Sequence, residues 1–157
     1  MNRPPSLAGS SPQTLSTALV GTWQLDSRID RTRSGDLRNE PSLGTDPIAL
    51  LYYDASGHFA AQFMKRQRDD ADIAVTAGGS NNTRAIAGYD AYFGTYTVDD
   101  ASGTVTQTLL GALARENVGH VVTRAVHVSG ATLTIVLETT SADGDPLTRT
   151  LIWTRVG

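Results

Sequence analysis

Gly21-Thr22-Trp23 and Leu151-Ile152-Trp153-Thr154-Arg155 decide how this chain is read. The first word stands where regular structure begins, the second where it ends. Between them lie alternating runs separated by tight turns. In an even-numbered antiparallel meander, the start of the first strand lies beside the end of the last. Trp23 and Arg155 then become cross-strand neighbours. That contact joins the terminal strands and closes the sheet. A small closed barrel either fills its interior with side chains or holds one small ligand.

Period-two alternation marks eight strands. They are Thr22–Asp30, Pro47–Asp54, His58–Met64, Tyr92–Val98, Thr104–Leu110, His120–Val128, Ala131–Thr139 and Leu147–Val156. Asp54-Ala55-Ser56-Gly57 recurs as Asp100-Ala101-Ser102-Gly103, and both read as turns ending on a left-handed glycine. The fold class is all-β: an eight-stranded up-and-down antiparallel barrel. A short helical turn within Thr14–Val20 precedes it. A short helix is expected near Thr83 in the connection between strands 3 and 4, where Thr83 is a fitting N-cap and Ile86 and Tyr89 share a face. Residues 1–13, rich in Pro, Ser and Gly, read as a disordered segment, and 14–157 as one barrel domain. Two connections are long: Arg31–Asp46, which can lie across a barrel mouth, and Lys65–Ala91, which reads as a mobile lid.

Composition narrows the function classes. The chain has 157 residues, a net charge of −3 and no cysteine, which fits one domain without disulfides or thiolate chemistry. The acidic balance argues against nucleic acid as a partner, and no apolar run approaches a membrane span. Met1–Ser6 lacks the apolar stretch of a secretory signal, so a cytoplasmic monomer or homodimer is expected. His58, His120 and His127 have no ligand spacing, so no metal is expected. No phosphate-cradling loop or dinucleotide fingerprint occurs, so no cofactor is expected either. The run of Asp69, Asp70 and Asp72 beside Arg66 and Arg68 reads as a solvated loop face.

Hairpin register sorts the side chains by face. With Ser129-Gly130 as a two-residue turn, Val122, Arg124 and Val126 share a face with Leu133, Ile135 and Leu137. Thr123 and His127 then face out. Arg124 thus points inward among aliphatics, an uncommon place for a guanidinium. With Gly57 as a bulge glycine, Leu51, Tyr53, Phe59, Ala61 and Phe63 face inward. Pairing Val98 with Val105 places Tyr92, Gly94, Tyr96, Gln107 and Leu109 inside, with Gly94 leaving room for a ligand or an aromatic ring. The last strand directs Arg149, Leu151, Trp153 and Arg155 inward. A mostly apolar wall with a few convergent donors is how small-molecule pockets are built, although the same groups can satisfy one another as a buried network.

The words Leu19–Leu25, Ala49–Gln62, Tyr92–Asp99, Gly103–Thr106 and Leu151–Arg155, in this order, resemble the bacterial and fungal lipocalin-like domain family over about Leu19–Val156. The resemblance implies a barrel with an internal cavity for a small organic molecule, and for some members a cyclase or isomerase activity in biosynthesis. Members commonly carry a His where this chain has Gln107, so no acid–base role of that His transfers here.

Two functions stay open from these residues. One is a cofactor-free cyclase or isomerase of a bulky, largely apolar polyketide- or terpenoid-like metabolite. Arg124, Tyr96 and Gln107 would be its catalytic donors. Tyr53, Phe59, Phe63, Tyr92, Leu109, Ile135, Arg149 and Leu151 would line its binding surface. The other is a non-catalytic carrier of such a hydrophobic ligand.

Overall fold

The computed structural model describes residues 13–68 and 79–157. A helical turn, α1 (Leu15–Ala18), leads into nine strands. These are β1 (Gly21–Thr32), β2 (Leu37–Arg38), β3 (Ile48–Tyr53), β4 (His58–Met64), β5 (Tyr89–Asp99), β6 (Thr104–Ala112), β7 (Val121–Ser129), β8 (Thr132–Thr140) and β9 (Pro146–Arg155). Eight of them, all but β2, form a closed antiparallel meander, with β1 pairing both β3 and β9. The two-residue β2 pairs with the far end of β1 through Asp30–Arg38 and Arg31–Leu37, an addition within the predicted long loop.

The seam between β1 and β9 closes the barrel, running from Trp23 opposite Arg155 to Thr32 opposite Leu147. Arg155 Cζ lies 4.3 Å from the centre of the Trp23 ring. Its guanidinium also donates to the carbonyls of Val20 and Ala18, so it ties α1 to the last strand. Trp23 is fully buried, and its Nε1 donates to the Leu19 carbonyl at 2.9 Å. Gly21 is required by the same contact. A Cβ there would stand 2.3 Å from Arg155 Nη1, and its φ of +148° is one that L side chains rarely adopt. The hairpin ends of β3–β4, β5–β6 and β7–β8 lie at this closed base, where α1 packs against β5 and β7. Asp100 accepts hydrogen bonds from the backbone and hydroxyl of Ser16, fixing α1 to the β5–β6 turn.

Side-chain alternation follows the expected faces. Tyr53 pairs with Phe59 across a turn containing Gly57 at φ +88°, and Leu51, Tyr53, Phe59, Ala61 and Phe63 are all buried. Val98 pairs with Val105 as expected. The β7–β8 turn is Gly130-Ala131 rather than Ser129-Gly130, so Val128 faces Leu133 and Val126 faces Ile135. This register differs from the expected one by two residues, and a shift of two preserves the face. Arg124 therefore does point inward, 5% exposed.

Three expectations need correction. The segment from Thr83 is not helical: Ile86 and Tyr89 form a bridge around a turn in which Ala87 and Gly88 have positive φ. Two successive left-handed residues cannot continue a right-handed helix. Gly94 leaves no room for a ligand, because a Cβ there would meet the Thr108 carbonyl at 1.8 Å. The glycine is needed where the β5–β6 ladder shifts register at Phe93/Gly94. The third correction concerns depth within the barrel and belongs to the site below. The predicted N-terminal segment falls largely on residues 1–12, and part of the predicted lid on 69–78, both outside the described residues.

Trp23→Ala should lower stability by about 3–5 kcal/mol, the range for deleting a buried aromatic. Chemical denaturation checks it. An unchanged midpoint would mean that the seam does not depend on the Trp23–Arg155 contact.

Candidate functional site

Opposite the base, the barrel opens into a cavity of about 290 Å³. Its wall is built by inward residues of the strands' mouth halves: Leu51, Ala61 and Phe63 on one side, Ile135, Leu137, Leu151 and Trp153 on the other. The rim is formed by residues 38–43, 82–85 and 140–143 with Gly79. Leu43 of the first long connection is 5% exposed and stops part of the mouth. Glu40 holds it there, accepting the N–H groups of Ser42 and Leu43 and pairing with Arg28 at 3.1 Å.

Three buried arginines face this space. Arg149 on β9 makes a two-point bond to Asp30 on β1, Nε–Oδ1 at 2.7 Å and Nη2–Oδ2 at 3.0 Å. Arg28 is bound to Glu40. Burial pulls the Arg28 guanidinium below its ordinary value, aided by the like charge of Arg149 and opposed by Glu40. Burial would raise Glu40, but Arg28 and the hydrogen bonds from Ser42 and Leu43 outweigh it and leave the carboxyl low. Arg124 differs from both. Its Nη1 donates to the carbonyls of Asn81 at 2.8 Å and Thr123 at 3.0 Å, and among the described residues no carboxylate pairs with it. Burial lowers its pKa, while Tyr92 and Tyr53 oppose the shift, Tyr92 also through a hydrogen bond. A guanidinium remains charged at neutral pH even so.

Asn81 positions Arg124. It sits in the left-handed region at φ +54° and inserts its amide between β7 and β8. Oδ1 accepts the Thr123 N–H at 2.9 Å, and Nδ2 donates to the carbonyls of Thr123 and Glu138. The β7–β8 ladder stops at Ala125–Val136, just before this point. The neighbouring Ser80 is tied to Thr139 and Thr140 of β8. The described end of the long connection is thus docked on the barrel wall.

Asp90, a further buried charged group of the wall, is 4% exposed at the start of β5. Thr83 Oγ1 donates to its Oδ2 in a short hydrogen bond. Burial pushes its pKa up to about 6, against the lowering effects of Thr83, the Ala91 backbone, Arg28 and Arg149. The Tyr92 hydroxyl is pushed up to about 12, first by burial and then by the charge of Asp90. Two further buried polar atoms of the wall, Gln107 Oε1 and Trp153 Nε1, have no hydrogen-bond partner among the described residues.

Of the predicted site residues, Phe63, Tyr92, Gln107, Arg124, Ile135, Arg149 and Leu151 do line the cavity. Tyr96 does not: it sits toward the base and its hydroxyl donates to the Asp54 carbonyl. Tyr53, Phe59 and Leu109 belong to the packed lower core, where Tyr53 stands edge-on to Tyr96 at 4.7 Å. Gln107 reaches the cavity, but its Nε2 donates to the Tyr53 hydroxyl at 2.6 Å. Tyr53, Phe59, Leu109 and Tyr96 face inward as predicted, at the wrong height for the cavity. Asp90, Thr83 and Asn81 are not among the site residues expected from the sequence. The expected strand begins at Tyr92, whereas β5 begins at Tyr89, and its alternation places Asp90 on the inner face. Among the described residues, no cluster of His, Asp and Glu gathers as for a metal. No helix among them is long and apolar enough to cross a membrane.

The model of the lipocalin-like domain family matches residues 20–156, and the chain belongs to that family. No curated protein matches it.

Asp90 also makes a testable contribution to stability. Its folded pKa lies above the ordinary 3.8, so the folded state holds a proton that the unfolded state has released between pH 3.8 and about 6. Stability therefore falls as pH rises through that window. The loss above it is on the order of 2–3 kcal/mol. Asp90→Asn should be the more stable protein at pH 7.5 and should match wild type near pH 3.5, as read by urea denaturation at both values.

Proposed function

We propose that this lipocalin-like barrel binds a largely apolar molecule bearing a carbonyl or carboxylate oxygen and rearranges it without a cofactor, as a cyclase or isomerase. The substrate class is a polyketide- or terpenoid-like metabolite. With about 290 Å³ inside and an open mouth, the cavity suits a compact molecule or one end of a bulky one. The observation that carries this reading is Arg124: a buried cation in an apolar wall, hydrogen-bonded to two backbone carbonyls, with no carboxylate partner among the described residues. Such a group accepts a ligand oxygen far more favourably than it accepts being left alone. In a reaction, the same donor stabilises negative charge developing on that oxygen.

A carrier role is favoured by a different observation. Tyr96 is bonded at the base, and the Gln107 amide nitrogen is engaged by Tyr53, which removes two expected donors from the chemistry. A carrier returns its ligand unchanged. Mass spectrometry of a metabolite extract from the producing cells, before and after incubation with the protein, separates the two roles.

Binding is tested with 2-naphthoate, an apolar bicycle with one carboxylate. Calorimetry should show wild type binding it, and Arg124→Met weakening it at least tenfold without lowering the melting temperature. Equal affinity in the variant would remove Arg124 from ligand recognition. No binding to wild type would count against the cavity reading itself.

A further inference from the structure

We propose that Asp90 is the proton-transferring group of this cavity, and that the substrate is an enolisable carbonyl compound whose oxygen rests on Arg124 and Tyr92. This rests on the reading of the cavity as a reaction chamber, and names the base and the substrate class it requires.

Three arginines are buried at the mouth half of the barrel, Arg28, Arg124 and Arg149, together with Asp30, Asp90 and the half-buried Glu40, and two of each are joined: Asp30 with Arg149, Glu40 with Arg28. The rim arginines are paired as well, Arg38 with Asp143 and Asp145, Arg84 with Glu116. Asp90 and Arg124 are left over, and they are not joined to each other. All four side chains Thr83, Asp90, Tyr92 and Arg124 line the cavity; Thr83 is bonded to Asp90, and Tyr92 interacts with Thr83, Asp90 and Arg124. Asp90 feels Arg28 and Arg149 through space, yet each of those arginines is bonded elsewhere. Keeping a buried anion and cation apart is unfavourable unless something bridges them. A carbonyl compound with an acidic neighbouring C–H does so: its oxygen meets the cation and its C–H meets the carboxylate.

The chemistry balances without any other reagent. The Asp90 carboxylate takes the proton from the α-carbon, and the C–H electron pair becomes the enolate C=C bond. The carbonyl π pair moves to oxygen, held by the Arg124 and Tyr92 donors. Protonated Asp90 then returns the proton to the α-carbon, giving the epimer, or, where the substrate is a β,γ-unsaturated carbonyl and the anion a dienolate, to the γ-carbon, giving the conjugated double bond. Alternatively, the enolate carbon attacks a second carbonyl carbon of the same molecule; the π pair of that carbonyl moves to its oxygen, which takes the proton from Asp90, and an aldol ring is closed. A carboxyl near pKa 6 is matched to both halves of such a transfer at neutral pH. Burial against the apolar wall supplies that shift, and the Thr83 hydroxyl limits it.

The probe is 5-nitrobenzisoxazole, a compact apolar ring whose C–H proton a desolvated carboxylate removes as the N–O bond breaks, releasing a coloured phenolate. Wild type should exceed the rate of acetate at equal concentration, with kcat/KM rising through a midpoint near pH 6. Asp90→Asn should lower kcat/KM at least tenfold and abolish the pH midpoint, while still binding 2-naphthoate. Thr83→Val, which removes a hydrogen bond to the charged carboxylate, should move the midpoint upward. It decides the matter if Asp90→Asn does not fold. A wild-type rate no faster than acetate, an Asp90→Asn rate equal to wild type, or a midpoint unmoved in Thr83→Val overturns the proposal. With 2-naphthoate bound normally, any of these results removes Asp90 and leaves the cavity reading intact. Loss of naphthoate binding in wild type removes the cavity reading first.

Discussion

The seam between β1 and β9 is the constraint on which the rest depends. A meander of eight strands is an open sheet until its first and last members pair. Trp23 and Arg155 fasten that pairing at one end, and the carbonyls of Val20 and Ala18 bring α1 into the same knot. Sealing one end dictates where a cavity can be. The base is filled by Trp23, Tyr53, Phe59 and Leu109, and the unfilled space lies toward the opposite mouth. The β1–β9 ladder is irregular between Leu25 and Ser27, and a bulge of this kind increases the local twist of a strand pair.

At the mouth, the buried charged residues divide into those with an ion-pair partner and those without one. The Arg149–Asp30 bond crosses the closing seam itself, from β9 to β1, and the Arg28–Glu40 pair anchors the loop that seats Leu43. Both pairs are buried, and breaking either leaves a charge without its partner, which is strongly destabilising. Their saturation is what makes the two remaining groups conspicuous. Asp90 and Arg124 are buried charges that no salt bridge pairs among the described residues. Residues of that kind are where a fold gives up stability to a site.

Much of the fold was legible because strand periodicity and turn chemistry are local. Gly57 with its left-handed φ set the β3–β4 register, and Val98 opposite Val105 set β5–β6. The β7–β8 turn was misplaced by one residue, yet Arg124 kept its face because the side-chain period is two. Depth was not legible. Alternation says that Tyr96 and Arg124 both point inward, but whether each lies in the filled base or the open mouth depends on strand stagger around the barrel. Gly94 shows the same limit, since its reason is the Thr108 carbonyl of the neighbouring strand at a register shift. Asn81 left no periodic trace at all. Its bonds reach Thr123 and Glu138, residues distant in sequence and joined to it only by the fold.

The Asn81 amide has a consequence for solubility. Where β7 and β8 part, Thr123 N–H and the carbonyls of Thr123 and Glu138 lose their ladder partners, and the Asn81 side chain accepts and donates in their place. Unpaired backbone groups on parted strands are a template for a third strand from another molecule. A single side chain, carried on a loop, therefore covers the gap between β7 and β8. The same residue that sets Arg124 in place also occupies the backbone groups that an added strand would need.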